Sequence, residues 1–444
     1  MSSRWLLGLL LALAAAGSMW LYFQRVLIPY QLSDALAKEK PRGNLSDLYP
    51  RWLGARELLL HKRDPYGADI THEIQIGYYG RPLDPARPND PKDQQAFAYP
   101  LYVVLMLAPT VGLPFEIVHK VCFWLFVVLT AVSVLLWLQA LGWRLSTIAK
   151  LTWILLTVSS LPAIQGLKLQ QLTVLVAALV AASITAIARR QYVWAGVLLA
   201  LATIKPQLVC LLVIWLCLWV VGNWRERRRL LWGFASTMVV LVGASEMLLP
   251  RWVLEFRAAM ASYYQYTGGG NSILNAVLTP TLGRITSATL VGVFLIFAWK
   301  MRRAGETAYE FQWLLSIALA TTLLVIPMFP PNSQLLLLPA FMMLLRSIAP
   351  LWRGSQLSRF LVMVTTLSVF WPFLAAVSLV VGLIFLPGTT VQRMSVLPFY
   401  STLAVPLTMY ATLLSSRNIL ISGTPGHSGP VACLAAGRGG RVVW

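Results

Sequence analysis

The chain has 444 residues, 58% hydrophobic and only 12% charged, with a formal net charge of +20 and a mean hydropathy of +0.68. Its repeated apolar runs approach the about 20 residues that cross a bilayer as a helix, which excludes an ordinary water-soluble core. The basic residues fall mostly between those runs, the pattern that orients a membrane protein rather than one that binds nucleic acid.

The first run, "SRWLLGLLLALAAAGSMWLYF", carries one Arg and small residues that resemble the flanks of a signal peptide. Its apolar character continues to Phe23 and many runs follow, so it reads as an uncleaved first helix that sends residues 28–97 to the outer side. Apolar runs then recur at 97–112, 116–140, 148–164, 171–188, 192–204, 207–222, 230–249, 285–301, 311–328, 333–347, 358–378 and 398–415. The short, Pro-bracketed run "AFAYPLYVVLMLAP" reads as a dip into the outer leaflet, tolerable where protein covers its backbone. Counting it as a crossing would put "RERRR" (225–229) outside.

The predicted architecture is an all-α polytopic membrane protein with about twelve transmembrane helices and both ends cytoplasmic. Its cytoplasmic connections carry Arg144 and Lys150, Arg189 and Arg190, "RERRR", Lys300 with Arg302 and Arg303, and the later group around Arg346, Arg353, Arg359 and Arg417. Residues 1–421 read as a single transmembrane domain, and the Gly/Pro-rich stretch 422–444 as a disordered cytoplasmic tail. Cys122, Cys210, Cys217 and Cys433 show no CxxC spacing, which predicts neither a disulfide nor a metal site.

Residues 28–97 form a long hydrophilic segment with ten of the sixteen acids and ten bases. After Pro50, the apolar Trp52, Leu53, Leu58, Leu59 and Leu60 recur at helical spacing, with Arg51, Arg56, Glu57 and Lys62 between them. This predicts an amphipathic helix in the interface plane, Trp and Leu toward lipid, closed by the turn "RDPYG". Asp47 stands at its front edge, where the helix dipole favours a carboxylate. Asp64 and Asp69, in and after the turn, read as structural.

A lone loop Asp is ordinarily a solvated charge. Asp47 stands out because other polar groups reach the same side: "QGLKLQQLT" (165–173), "TIKPQ" (203–207), "YYQYTGGGNSILN" (263–275) and "MFPPNSQ" (328–334). Lys168 has an ordinary explanation in snorkelling. Lys205 has almost no loop around it, and a cation there is costly unless it faces a polar cavity or an anion. The triple Gly before Asn271 permits close backbone approach. His61, His72 and His119 lack metal-ligand spacing, and neither a Walker-type loop nor GxSxG occurs, so no metal or cofactor is expected.

Taken in order, "DLYPRWLGARELLLHKRDPY", "AFAYPLYVVLMLAP", "LQQLTVLVAAL", "AGVLLALATIKPQLVCLL" and "GGNSI" resemble glycosyltransferase family 87 over about residues 44–335. The resemblance implies the C-type glycosyltransferase fold and an enzyme that uses polyprenyl-phosphate sugars, as the family's bacterial mannosyltransferases do. It implies transfer of mannose or a related hexose or pentose to a lipid or glycan acceptor, on the extracytoplasmic face of a bacterial cytoplasmic membrane, among membrane lipids. The family's first-loop Asp falls on Asp47, and its aromatic helix and Pro-Tyr on Tyr49, Trp52, Pro65 and Tyr66. Its Tyr-Pro falls on Tyr99 and Pro100, its Lys-Pro on Lys205 and Pro206, and its Asn/Ser loop on Asn271 and Ser272. Its Gly-Gln-x-Asn falls on "QQLT", where Gln171 matches, Gln170 replaces Gly and Thr173 replaces Asn.

The chemistry so implied needs a cation and hydrogen-bond donors for a departing lipid phosphate. Lys205 is the first candidate, followed by Gln171, Asn271 and Arg51 or Arg56. The attacking hydroxyl needs a carboxylate to take its proton. Asp47 fits, and one base on one face implies inversion. Two rivals stand beside this reading. A lipid or solute transporter with the 28–97 segment as a lid would be favoured by charges deep in the spans or by two related halves; Glu116, Lys120 and Glu246 lie near span ends and no repeat is visible. An assembly factor that keeps the fold without turnover is the other.

Overall fold

The computed structural model describes residues 3–37, 46–84, 86–88, 90–91, 93–266, 270–327 and 330–422. Among the described residues all regular structure is helical, as expected where lipid offers no hydrogen-bond partner to an exposed backbone. The expectation of a disordered tail falls, apart from Ser422, on 423–444, outside the described residues.

Among the described residues six helices are long and apolar enough to cross a membrane: Leu6–Ala37, Phe115–Ala140, Trp224–Leu248, Pro280–Lys300, Gln356–Phe385 and Gly388–Ser415. Thr147–Val158 and Leu161–Lys168, bent by 56°, make a seventh if taken as one broken span. The polytopic helical class therefore holds, while the expected count of about twelve does not follow from these helices. Four expected crossings are Thr173–Ala188, Tyr192–Ala202, Pro206–Gly222 and Tyr309–Val325, each of 10–17 residues. At about 1.5 Å per residue the longest reaches roughly 26 Å, short of the about 30 Å hydrocarbon layer. Thr173–Ala188 and Tyr309–Val325 are buried along most of their length. An apolar run buried in protein and one bathed in lipid read alike in sequence.

The run at 97–112 folds as the five-residue helix Val103–Leu107 and the single turn Ala108–Thr110, too short to cross a bilayer. The first helix continues past the boundary expected at 28, through a π-turn at Phe23–Leu27 into Ile28–Ala37. Its Met19, Tyr22, Phe23 and Val26 pack on Leu161, Phe373, Ala376 and Leu379. Tyr192–Ala202 and Trp224–Leu248 cross at Gly196 and Gly233. A methyl on Gly196 would strike the Leu230 carbonyl, and one on Gly233 the Val193 carbonyl, the close backbone approach that small residues permit between membrane helices.

The basic connections gather at one end of the bundle, though not all as solvated charge. "RERRR" lies in the first turns of Trp224–Leu248, and Arg227 within it is 3% exposed. Its guanidinium stacks on Trp219 with 3.8 Å to the ring centroid. It donates to the carbonyls of Trp219 (3.0 Å), Arg302 (3.1 Å) and Ala304 (2.8 Å), with Glu306 3.7 Å away. Arg346 donates to the Leu141 carbonyl and, at 3.0 Å, to the Tyr309 hydroxyl. The 46–107 segment docks at the opposite ends of the connecting helices.

There the helix Leu48–His61 begins two residues before Pro50. Its apolar face meets protein rather than lipid, which corrects the expected orientation. Trp52 is 5% exposed, packs on Tyr49 and Phe115, and donates its indole N–H to the Thr110 carbonyl at 3.2 Å. Leu53 and Leu58 are buried with it, and Leu60 is exposed. The dip at 97–112 supplies the apolar surface that sequence reasoning assigned to the bilayer. Arg63 then holds the helix Ala68–Tyr79 in place through Glu57 (3.0 Å), Asp69 (2.8 Å) and Glu73 (2.6 Å).

Candidate active site

Two turns distant in sequence meet at Asp47. Its backbone N–H donates to the Leu169 carbonyl at 2.9 Å, and the Ser46 hydroxyl donates to Gln170 Oε1 at 2.6 Å. The 169–171 turn lies between Leu161–Lys168 and Thr173–Ala188. It requires Gln170 at φ +47°, the left-handed region that glycine enters without strain. This explains why the resemblance places a Gly there: the backbone shape is kept, and the Gln side chain adds the bond to Ser46.

Asp47 flanks the start of Leu48–His61, yet its carboxylate makes no capping bond. It turns instead to Gln171, whose Nε2 donates to Oδ2, and to Tyr78, whose hydroxyl donates to Oδ1 at 3.4 Å. The Gln171 carbonyl oxygen accepts from Lys205 Nζ at 2.7 Å, and the Thr173 hydroxyl accepts from the same ammonium at 2.8 Å. Carboxylate and cation are thus joined through one amide, and Thr173 meets Lys205 where the resemblance would put an Asn. Lys205 is 8% exposed. It immediately precedes Pro206–Gly222, with Pro206 in the first helical position. Tyr102 steadies that turn by donating to the Thr203 carbonyl at 2.8 Å.

Tyr99 joins the two cations. Its ring centroid lies 4.7 Å from the Arg51 guanidinium carbon and 5.7 Å from Lys205 Nζ. Burial alone would raise its phenol, but Lys205 and Arg51 outweigh it and pull the pKa below the ordinary value. Burial opposes the Arg51 charge too, and Tyr99, Asp47, Asp93 and Tyr263 outweigh it, so the guanidinium is held above its usual range. Arg51 donates to the Asp47 carbonyl, while its Nε is enclosed without a hydrogen-bond partner among the described residues.

Not every candidate arrives here. Tyr49 packs on Trp52 and Phe115 with its hydroxyl pressed against Gly77. Arg56 lies over Trp52, 5.4 Å from the ring centroid. Ser272 is buried and accepts from the Asn275 N–H at 3.1 Å as a helix cap. Asn271 is exposed, and the preceding 267–269, two of the three glycines among them, lie outside the described residues. Lys168 donates to Gln31 at 2.7 Å, away from Asp47. Of the rival acids, Asp64 accepts from the Tyr66 N–H at 2.9 Å and Asp69 pairs with Arg63.

Sequence reasoning missed three members. Asp93 is half-buried and close enough to Arg51 and Asp47 to feel both charges. Burial lifts its pKa above the usual carboxylate range despite the Gln95 N–H and Arg51, with Asp47 adding to the rise. Tyr78 is raised by burial and then by Asp47 and Asp93. Tyr263 is pushed up to about 12 by burial and Asp93. The aromatic density of "YYG" and "YYQY" was the available signal; among ten acids in one segment, nothing local separated Asp93 from the rest.

The family model of glycosyltransferase family 87 matches residues 97–347, more than half of the chain. The matched stretch holds Tyr99, Gln171, Lys205, Asn271 and Ser272, and leaves Asp47, Tyr49, Arg51 and Arg56 before it. No curated protein and no solved structure matches the chain. The long apolar helices and this match agree on a membrane glycosyltransferase: the chain belongs to glycosyltransferase family 87.

Proposed function

We infer that the protein is an inverting transferase of the C-type glycosyltransferase fold. It moves a sugar, mannose or a related hexose or pentose, from a polyprenyl-phosphate donor to a lipid or glycan acceptor on the extracytoplasmic face. The observation that carries this reading is the relay from Asp47 through Gln171 to Lys205. Transfer needs an acceptor for the attacking hydroxyl's proton and a cation for the departing phosphate, at fixed separation and without the two neutralising each other. Among the described residues Asp47 forms no ion pair, and the Gln171 amide stands between it and Lys205.

The roles follow from the contacts. Asp47 takes the proton of the acceptor hydroxyl as that oxygen attacks the anomeric carbon. The glycosidic carbon–oxygen bond breaks, and its electron pair leaves with the lipid phosphate. Lys205 and the unpartnered Arg51 Nε–H meet the phosphate oxygens. Tyr99 holds the two cations apart by its π-face. Gln171 and Tyr78 orient the carboxylate, so positioning supplies much of the rate. The side of action is supported by the gathering of basic connections at the far end of the bundle, the end a cytoplasmic face should carry.

The test is Asp47→Asn, which keeps the shape and a carbonyl oxygen. It should insert and fold like the parent and lose transfer by about 10²–10⁴-fold, the usual contribution of a general base. The measurement is release of polyprenyl phosphate from polyprenyl-phosphate hexoses and pentoses by purified protein. Near-parental turnover by the variant refutes the assignment.

A further inference from the structure

The helix Trp252–Tyr266 reaches about 22 Å at roughly 1.5 Å per residue, too short to cross a bilayer. It lies between two helices that are long enough, Trp224–Leu248 and Pro280–Lys300. A tight turn through Pro250 and Arg251 joins it to the first of them. Arg251 takes φ +64°, and the Trp252 N–H donates to the Leu249 carbonyl at 3.2 Å. With both neighbours crossing, the helix stands at the end of the bundle that carries Asp47. The Trp252 ring lies 6.0 Å from that of Tyr102, and the Tyr263 phenol feels Asp93, Arg51 and Asp47.

Three sides of this helix have different surroundings. Trp252 is buried and Phe256 packs against the core beside it. Glu255, Ala258 and Ser262 line a groove shared with Tyr66 and Asp84. The third side is the row Val253, Arg257, Met260 and Tyr264, spaced by four, three and four residues so that it runs down one face. Leu254 lies beside it, and all five are exposed. The one base of the helix, Arg257, is in this row, while its one acid, Glu255, is on the groove side. Apolar side chains with a cation among them suit the boundary of acyl chains and phosphates, where an Arg stem lies in the apolar layer and its head reaches the phosphate oxygens. The row also continues the surface of the preceding crossing helix, on which Val239, Val240 and Met247 are exposed. The interfacial place that Leu48–His61 does not take, because protein covers its apolar face, is open to this helix.

We propose that the helix Trp252–Tyr266 rests on the bilayer surface, with Val253, Leu254 and Met260 among the outermost acyl carbons and Arg257 at the phosphates. Lipid then supports, from one side, the helix that carries Tyr263 to the Asp47 cluster on another. The partner is phospholipid, and the seat does not depend on the donor or the base assigned above. The test uses full-length protein without native cysteines in nanodiscs of phosphatidylcholine and phosphatidylglycerol. A bimane fluorophore is attached at Leu254→Cys, Met260→Cys or Ala258→Cys, all exposed positions where the exchange leaves no cavity. The quenchers are phosphatidylcholine spin-labelled near the headgroup end of its acyl chain, and iodide in the water. The spin-labelled lipid should quench at Leu254 and Met260 roughly threefold more strongly than at Ala258, which faces the groove, and iodide should rank the positions in reverse. The proposal is overturned if lipid quenching at either Leu254 or Met260 is no stronger than at Ala258. Strong iodide quenching there would then leave the face in water, and protection from both quenchers would put a second copy or another protein on it.

Discussion

Lys205 holds its ammonium against two neutral oxygens, Gln171 Oε1 and Thr173 Oγ1, in a neighbourhood where an uncompensated cation is costly. Two neutral acceptors orient the charge without cancelling it, which suits an anion that comes and goes. Lys205→Met keeps the stem and deletes the charge. Hydrogen bonds to charged groups are worth about 1.5–3 kcal/mol, so donor affinity should fall roughly ten- to a hundredfold at 1.4 kcal/mol per decade. Equilibrium binding of a polyprenyl-phosphate sugar measures this, and unchanged affinity would reduce Lys205 to a structural anchor. Asp93 makes a pH prediction. Its carboxyl holds the proton more tightly folded than unfolded. Such a group stabilises the fold below the usual carboxylate pKa of about 3.9, and that contribution is lost as pH rises through the elevated folded value. Asp93→Asn stays neutral and keeps the oxygen that accepts from the Gln95 N–H. It should melt above the parent at neutral pH, with the gap closing in mild acid; a gap independent of pH would contradict the assigned shift. Lys205 was legible in sequence because a lone cation between apolar runs is conspicuous. Asp93 was not, because only pairing distinguishes it: Arg63 and Arg81 take Glu57, Asp69, Glu73 and Asp90, and leave Asp93 to face Arg51.

Helices form where the apolar runs said they would. The run at 116–140 is Phe115–Ala140, and that at 171–188 is Thr173–Ala188. What each helix faces was harder to read. The Leu48–His61 helix has the residues of an interfacial helix, but the dip at 103–107 reaches its apolar side first. The crossing of Tyr192–Ala202 with Trp224–Leu248 carries its own test. Gly233→Ala forces a methyl against the Val193 carbonyl, a backbone atom that cannot swing aside, and overpacking of this kind costs about 1–3 kcal/mol. Thermal unfolding in nanodiscs should show the loss, and Gly243→Ala in the same helix, where the added methyl meets nothing within 4 Å, should not. Equal melting of the two would mean that the helices cross elsewhere.

Across the whole molecule the basic connections and the Asp47 cluster occupy opposite ends of the short helices that join them. Thr173–Ala188 runs from Thr173 at the cluster to Arg189, and Tyr192–Ala202 returns toward Lys205. The proposed orientation puts the basic end in the cytoplasm. In a background without native cysteines, Asp84→Cys should react in intact cells with a membrane-impermeant maleimide, and Arg228→Cys only after lysis. The reverse pattern would place the cluster inside.

Composition and periodicity by themselves determined that this is a polytopic helical membrane protein, because apolar length and charge distribution are local quantities that lipid reads directly. The resemblance in five short stretches pointed to the family and to Asp47, Gln171 and Lys205 within it. Only the tertiary structure decided which helices are long enough to cross, that Trp52 faces protein, that Arg227 is buried among carbonyls, and that Arg51, Tyr99, Tyr78 and Asp93 close around Asp47. The reason is physical: those outcomes depend on which surfaces and charges find each other first, and residues as far apart as Asp47 and Gln171 carry no mark of that meeting until the chain has packed.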